Sequence, residues 1–175
     1  MTQDQGIKTV PTLLPGTYRL EPDSTTLHFS ARKFGMFTIR GTMKLTRGTF
    51  TVADPVEQST VHAILAADTF TTPMAKRDEH VRSYKLLDAT SFPAIEFFGT
   101  SVTPSPPGWS VLGSLSVHGQ QQNVALAISE VNDLGDIIRI AAHTQVDRND
   151  FGVTGMRVAA GPKIDIRIDA VATRI

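Results

Sequence analysis

Five histidines, His28, His62, His80, His118 and His143, are the residues of this sequence best suited to proton transfer or metal ligation. No two of them stand at HxH, HxxH or HxxxH spacing, which would place two ligands on one strand or helix. There are no cysteines, so disulfides, thiolate nucleophiles and Cys-ligated zinc or iron–sulfur centres are excluded. Asp147, Arg148 and Asp150 form a charged group, but Asn149-Asp150 ahead of Phe151-Gly152 is turn chemistry and reads as shaping a turn. Arg77-Asp78 reads as the opening of a helix, where a carboxylate in the first turn suits the macrodipole. Arg77 or Arg82 could instead meet a phosphate or carbonyl head. These residues compose neither a nucleophile–base pair nor a ligand set, so the sequence predicts no catalytic residue, metal or cofactor.

The surrounding elements are mostly short and alternating. In Lys163 to Ile175 (KIDIRIDAVATRI), Ile164, Ile166, Ile168, Ala170 and Ala172 alternate with charged or polar residues and one valine, the mark of a half-buried antiparallel strand. The same period predicts strands near 26–32, 60–66, 94–99, 110–118, 123–129 and 137–146. Residues 103–108 (TPSPPG) read as a loop, because proline cannot serve in a central strand. One segment departs from period two. Residues 74–86 follow Pro73, and Val81, Tyr84 and Leu87 stand at i, i+3, i+6, which predicts a short amphipathic helix. Seven or more strands suggest a sandwich or a barrel, and glycines within the strand patterns favour the barrel.

The totals narrow the partners. Lys+Arg and Asp+Glu both number 17, so the formal net charge is zero and the footprint of a nucleic-acid binder is missing. The chain as a whole also lacks a basic surplus for anionic headgroups, although local patches stay open. The longest apolar runs fall far short of the ~20 residues of a membrane span. The polar opening MTQDQGIK has no signal-peptide pattern, which points to a cytoplasmic protein with a flexible arm over 1–15 and one domain over 16–175.

Three motifs in order carry a resemblance: Arg77-Asp78-Glu79-His80-Val81-Arg82-Ser83 followed by Ser91-Phe92-Pro93-Ala94-Ile95-Glu96-Phe97; Gly113-x-Leu115-x-Val117-His118-Gly119 continuing to Val124-x-Leu126; and Arg148-Asn149-Asp150-Phe151-Gly152. With Leu20-Glu21-Pro22-Asp23-Ser24 and Leu27-x-Phe29 at the start, the chain resembles the YceI-like family of lipid- and polyisoprenoid-binding proteins from about Gly16 to its end. The resemblance implies an all-β fold: an eight-stranded antiparallel lipocalin-like barrel, one helix at 74–86, and a non-enzymatic role. Leu86-Leu87-Asp88 departs from the family's frequent aromatic pair, which implies a differently shaped pocket floor.

The expected function is binding, storage or transport of a long apolar ligand, such as a polyisoprenoid, an isoprenoid quinone or a similar lipid, in the barrel interior. Leu27, Phe29, Leu65, Ile95, Phe97, Leu115, Val117 and Ile166 are expected to face that interior. Ile39 joins them from the apolar stretch FGMFTIRGTM, whose other reading is plain core filling. Met36, Phe37, Met74, Val81 and Tyr84 are expected at the mouth, and Arg77, His80, Arg82 and His118 are candidate head-group contacts. Two rivals stay open: a barrel enzyme, such as an isomerase or cyclase on an apolar substrate, and a filled, ligand-free barrel in stress response or interaction. A homodimer is compatible with all three.

Overall fold

A computed structural model describes residues 13–155 and 160–175. Its chain order is β1 (Gly16–Leu20), β2 (Thr26–Lys33), β3 (Phe37–Val52), β4 (Thr60–Ala66), α1 (Ala75–Arg82), β5 (Ala94–Ser105), β6 (Gly108–Val117), β7 (Gln120–Asp133), β8 (Ile138–Asp147) and β9 (Ala160–Arg174). All pairings are antiparallel and run β3-β2-β9-β8-β7-β6-β5-β4, with β3 pairing β4 to close the ring. β1 and β2 share one position between β3 and β9, separated by a 3-10 turn at Pro22–Ser24. Nine strand segments therefore build an eight-stranded closed barrel.

Two of those segments were not read from the alternation. β3 has sixteen residues, but its inward parity switches midway. Met43 and Leu45 are buried, the register then shifts at Leu45/Arg47, and Gly48 and Val52 are the buried positions thereafter. A β-bulge inserts one residue and breaks period two. Gly41 and Gly48 further remove apolar marks from the inward face. β5 and β7 carry similar shifts, at Gly99/Ser101 and Ile128/Glu130. Such bulges bend strands into a barrel.

The proline-rich loop is shorter than expected. Thr103 and Pro104 pair with Ser110 and Trp109, so the turn is confined to Pro106 and Pro107. Beyond Gly99, β5 has no partner on the β4 side, so a missing N–H there breaks no ladder bond. The helix is also shorter than expected, ending at Arg82. The Ser83 hydroxyl donates to the His80 carbonyl (2.6 Å), and the chain folds over as the Leu87 N–H bonds the Val81 carbonyl (2.9 Å). The turn buries Leu86 and sends Tyr84 to solvent, 76% exposed.

Hairpin connectivity puts α1, the β2–β3 turn, the β6–β7 turn and the Arg148 segment at one end of the barrel, here called the helix end. One cluster of buried apolar residues sits there, including Met43, Leu86, Ile95, Leu115 and Phe151. A second holds the opposite end around Tyr18, Val52, Val131, Ile138 and Ala172. At that opposite end the Glu21 carboxyl accepts from the Thr173 hydroxyl (2.6 Å) and from Arg19, which hold it below the usual carboxylate range. Residues 1–12 of the expected arm lie outside the described residues. Within its remainder, the Leu14 carbonyl accepts from the Tyr18 hydroxyl (2.6 Å).

β5 and β6 approach closely at an inward-facing glycine pair. A Cβ on Gly113 would stand 2.3 Å from the Phe98 carbonyl oxygen and 2.7 Å from the Phe97 ring. Gly113→Ala is expected to cost about 1–3 kcal/mol, the usual penalty of overpacking. Chemical denaturation followed by circular dichroism would check it; an unchanged midpoint would show that the strands can part freely.

Candidate functional site

Side chains from every barrel strand leave a cavity of about 430 Å³ between the two apolar clusters. Its wall runs from Leu13, Val56 and Trp109 at the opposite end to Val81, Leu86 and Gly155 at the helix end. On β9 alone it follows Ile164, Ile166, Ile168 and Ala170, about 20 Å at ~3.4 Å per residue. The space is thus longer than it is wide.

Two phenylalanines explain why the centre stays open. A Cβ on Gly41 would meet the Phe29 ring at 2.5 Å, and Phe97 lies over Gly113 in the same way. Each ring is laid against a gap in the wall instead of crossing the axis. Phe29 is further held by stacking on Phe70, with ring centres 4.7 Å apart. Aromatic cover over a glycine is a recurrent device of curved sheets.

The expected residues divide cleanly by position. Leu27, Phe29, Ile39, Leu65, Val81, Ile95, Phe97, Leu115, Val117 and Ile166 line the cavity. Met36, Phe37, Met74 and Tyr84 do not; each is at least half exposed. Met36 lies in the β2–β3 turn, Phe37 opens β3 beside it, Met74 precedes α1, and Tyr84 is turned out by the early end of the helix. The wall also includes Leu45, Phe50, Phe70 and Val102, which the sequence did not mark, and Leu20, which it marked only within an opening motif. For Phe50 the signal was present in Thr49-Phe50-Thr51-Val52, but the β3 bulge hid its phase.

Arg77 and Arg148 are the charged residues of the wall among the described residues. Arg148 is committed to the backbone: its guanidinium donates to the carbonyls of Val153 (2.8 Å), Gly155 (2.6 Å), Ala160 (2.8 Å) and Gly161 (3.2 Å). It thereby ties Val153 and Gly155 to the start of β9, and Gly152, which ends the 3-10 turn Arg148–Phe151, takes the left-handed conformation (φ 71°). Arg77 donates through Nε (3.2 Å) and Nη2 (2.9 Å) to the Thr72 hydroxyl and has no carboxylate partner among the described residues. That hydroxyl and the Thr72 N–H bond the buried Asp78 carboxylate at 2.6 to 3.0 Å. The cluster ties the start of α1 to the barrel.

The other candidate head-group contacts lie outside the wall. Arg82 donates to the Phe70 carbonyl, with its Nε at 2.9 Å. His118 takes a left-handed conformation in the β6–β7 turn (φ 53°), with its ring edge-on to Phe92 at 5.0 Å. His80 is half-buried on α1. On the outer surface, His62 bonds Glu96 (2.5 Å) and His28 lies 3.6 Å from Asp169. Among the described residues no three of His, Asp and Glu gather as a metal site would need.

Fold and cavity together define a hollow antiparallel β-barrel of the lipocalin-like kind. The YceI-like domain family matches residues 18–172, and this chain belongs to that family. A UPF0312 protein of Vibrio cholerae is 24% identical over 153 residues, covering 83% of this chain and 80% of its own. Among solved structures, Burkholderia cenocepacia BcnA superposes with a TM-score of 0.79 at 15% identity, over 88% of this chain and 99% of that one. A polyisoprenoid binding domain from Saccharophagus degradans gives 0.70 at 11% identity, over 90% and 98%. No helix among the described residues is long and apolar enough to cross a membrane.

Asp78 is the keystone of the helix attachment. Asp78→Ala leaves the Thr72 N–H and hydroxyl without their acceptor, and hydrogen bonds to a charged group are worth about 1.5–3 kcal/mol. We expect destabilisation of that order, with hydrogen exchange accelerating first over residues 70–82. Uniform acceleration across the barrel would contradict a local role.

Proposed function

We propose that the protein binds one long apolar lipid of the polyisoprenoid or isoprenoid-quinone kind along the barrel axis and stores or carries it without chemical change. The observation that carries this reading is the continuous apolar wall around about 430 Å³, within the ~300–1,000 Å³ usual for small-molecule sites. A guest gains about 0.8 kcal/mol per buried CH₂. Some fifteen carbons therefore give roughly 12 kcal/mol before association costs, which is ample for retention by area alone. Among the described residues the wall holds no histidine, carboxylate or lysine, the groups that an isomerase or cyclase most often uses to move protons. A filled, ligand-free barrel fits poorly with an open axis. Family membership and the polyisoprenoid-binding neighbour from Saccharophagus degradans support the same class of cargo.

The proposed polarity follows from Arg77. It is a cation of the wall at the helix end, and its bonds to Thr72 engage two of the five N–H groups of a guanidinium. A phosphate, carbonyl or hydroxyl head would lie there and the tail toward Trp109. Roles for His80, Arg82 and His118 then become structural.

Trp109, the only tryptophan, belongs to the wall and supplies the readout. Delipidated protein titrated with retinol, an isoprenoid polyene that accepts tryptophan emission, should show saturable one-to-one quenching. Ala63 lines the cavity, so Ala63→Phe is expected to weaken binding more than tenfold in a folded protein. His80→Ala and His118→Ala should stay within about tenfold, the scale of one hydrogen bond. Non-saturating quenching, or indifference to Ala63→Phe, would sink the reading.

A further inference from the structure

Phe34, Met36 and Phe37 project from the tip of the β2–β3 hairpin with 57%, 78% and 62% of their surface exposed. Scattered exposed apolar residues are ordinary, but three large ones on a single tight turn are not. Phe34 is also held in the left-handed region (φ 52°), uncommon for an aromatic residue, beside Gly35 (φ 68°). The turn therefore presents its rings to solvent at some conformational cost, and such outliers mark functional segments.

Charge is segregated at the same place. Although the chain is neutral, residues 24–53 contain Arg32, Lys33, Arg40, Lys44 and Arg47 and no acid. Lys33 sits over the Phe34 ring at 5.5 Å, and none of Arg32, Lys33 and Arg40 has a carboxylate partner among the described residues. The acid closest in register is Asp165, opposite Ser30, and it accepts a hydrogen bond from Gln145 (2.8 Å). An apolar point inside a collar of unpaired cations fits the boundary of an anionic bilayer, where rings enter the acyl edge and cations meet headgroups.

The tip also adjoins the cavity. Ala31 and Ile39 are paired in register behind the turn, and both line the wall. Phe37 follows the same face of β3 as Ile39 but lies at the rim, so it is exposed instead of enclosed.

The geometry points to a membrane-docking element: the Phe34–Phe37 turn seats in an anionic bilayer surface and brings the helix end of the cavity against the lipid. Docking itself does not depend on the cargo; only its purpose, loading or delivery, rests on the function proposed above.

The test uses delipidated full-length protein and vesicles of phosphatidylcholine, alone or with about one-third phosphatidylglycerol, in a co-sedimentation assay. Binding should require the anionic lipid and weaken with salt. The combined variant Phe34→Asn, Met36→Ser, Phe37→Ser should lose at least about tenfold in vesicle affinity, as should Arg32→Glu with Arg40→Glu. Asparagine is chosen because it accepts the left-handed conformation. Met36→Trp should shift its emission to the blue on anionic vesicles. Retained retinol binding in each variant shows that the barrel is intact and keeps the two proposals separable: cargo binding without vesicle binding in the wild type overturns docking alone. Vesicle binding unaffected by the tip variant, or a dimer that the tip variant dissolves, would overturn it equally.

Discussion

Everything in this molecule depends on β3 pairing on both sides. Its first half forms a ladder with β2, and its second half pairs with β1 on one side and β4 on the other. Without the β3–β4 ladder the sheet would have two open edges, and its apolar face would need a second layer that the chain does not provide. With it, the inward face is enclosed on all sides. The bulge at Leu45/Arg47 is what lets one strand turn the corner and serve both neighbours.

Closure alone would leave the interior either filled or hollow, since an eight-stranded barrel is near the width at which side chains just meet. Here the balance is tipped by where the bulk lies. Phe29 and Phe97 rest against Gly41 and Gly113, and Ala31, Ala63, Ala142 and Ala170 supply small wall positions. The two ends are packed tightly, by Leu86 and Phe151 on one side and Tyr18 and Val52 on the other. Between those clusters runs a slender apolar bore. Among the described residues the charged side chains of the wall, Arg77 and Arg148, stand at the helix end.

Much of this was legible in the sequence wherever strands are regular. β9 runs through Ile164, Ile166, Ile168 and Ala170 without interruption, and all four stand in the wall, while Ala172 on the same face is buried in the cluster beyond it. Leu27, Phe29, Ile95, Phe97, Leu115 and Val117 were legible for the same reason. What escaped were positions past a phase change, Phe50 after the β3 bulge and Val102 after the β5 bulge, because local period carries no information across an inserted residue. Tyr84 shows the converse error. A helical spacing was real in the sequence, but the Ser83 cap and the Leu87 turn ended the helix before that spacing could act. The hairpin tip was visible as an apolar run, but its exposure and basic collar depend on where the turn projects from the barrel.

Retention of a lipid in the bore by apolar contact can be tested directly. Native mass spectrometry of the protein, isolated without detergent and then incubated with a long-chain isoprenoid alcohol, addresses it most directly. A single one-to-one adduct on the 19.0 kDa chain is expected, one that organic extraction removes and that Ala63→Phe suppresses. The bare chain alone, before and after incubation, would contradict it.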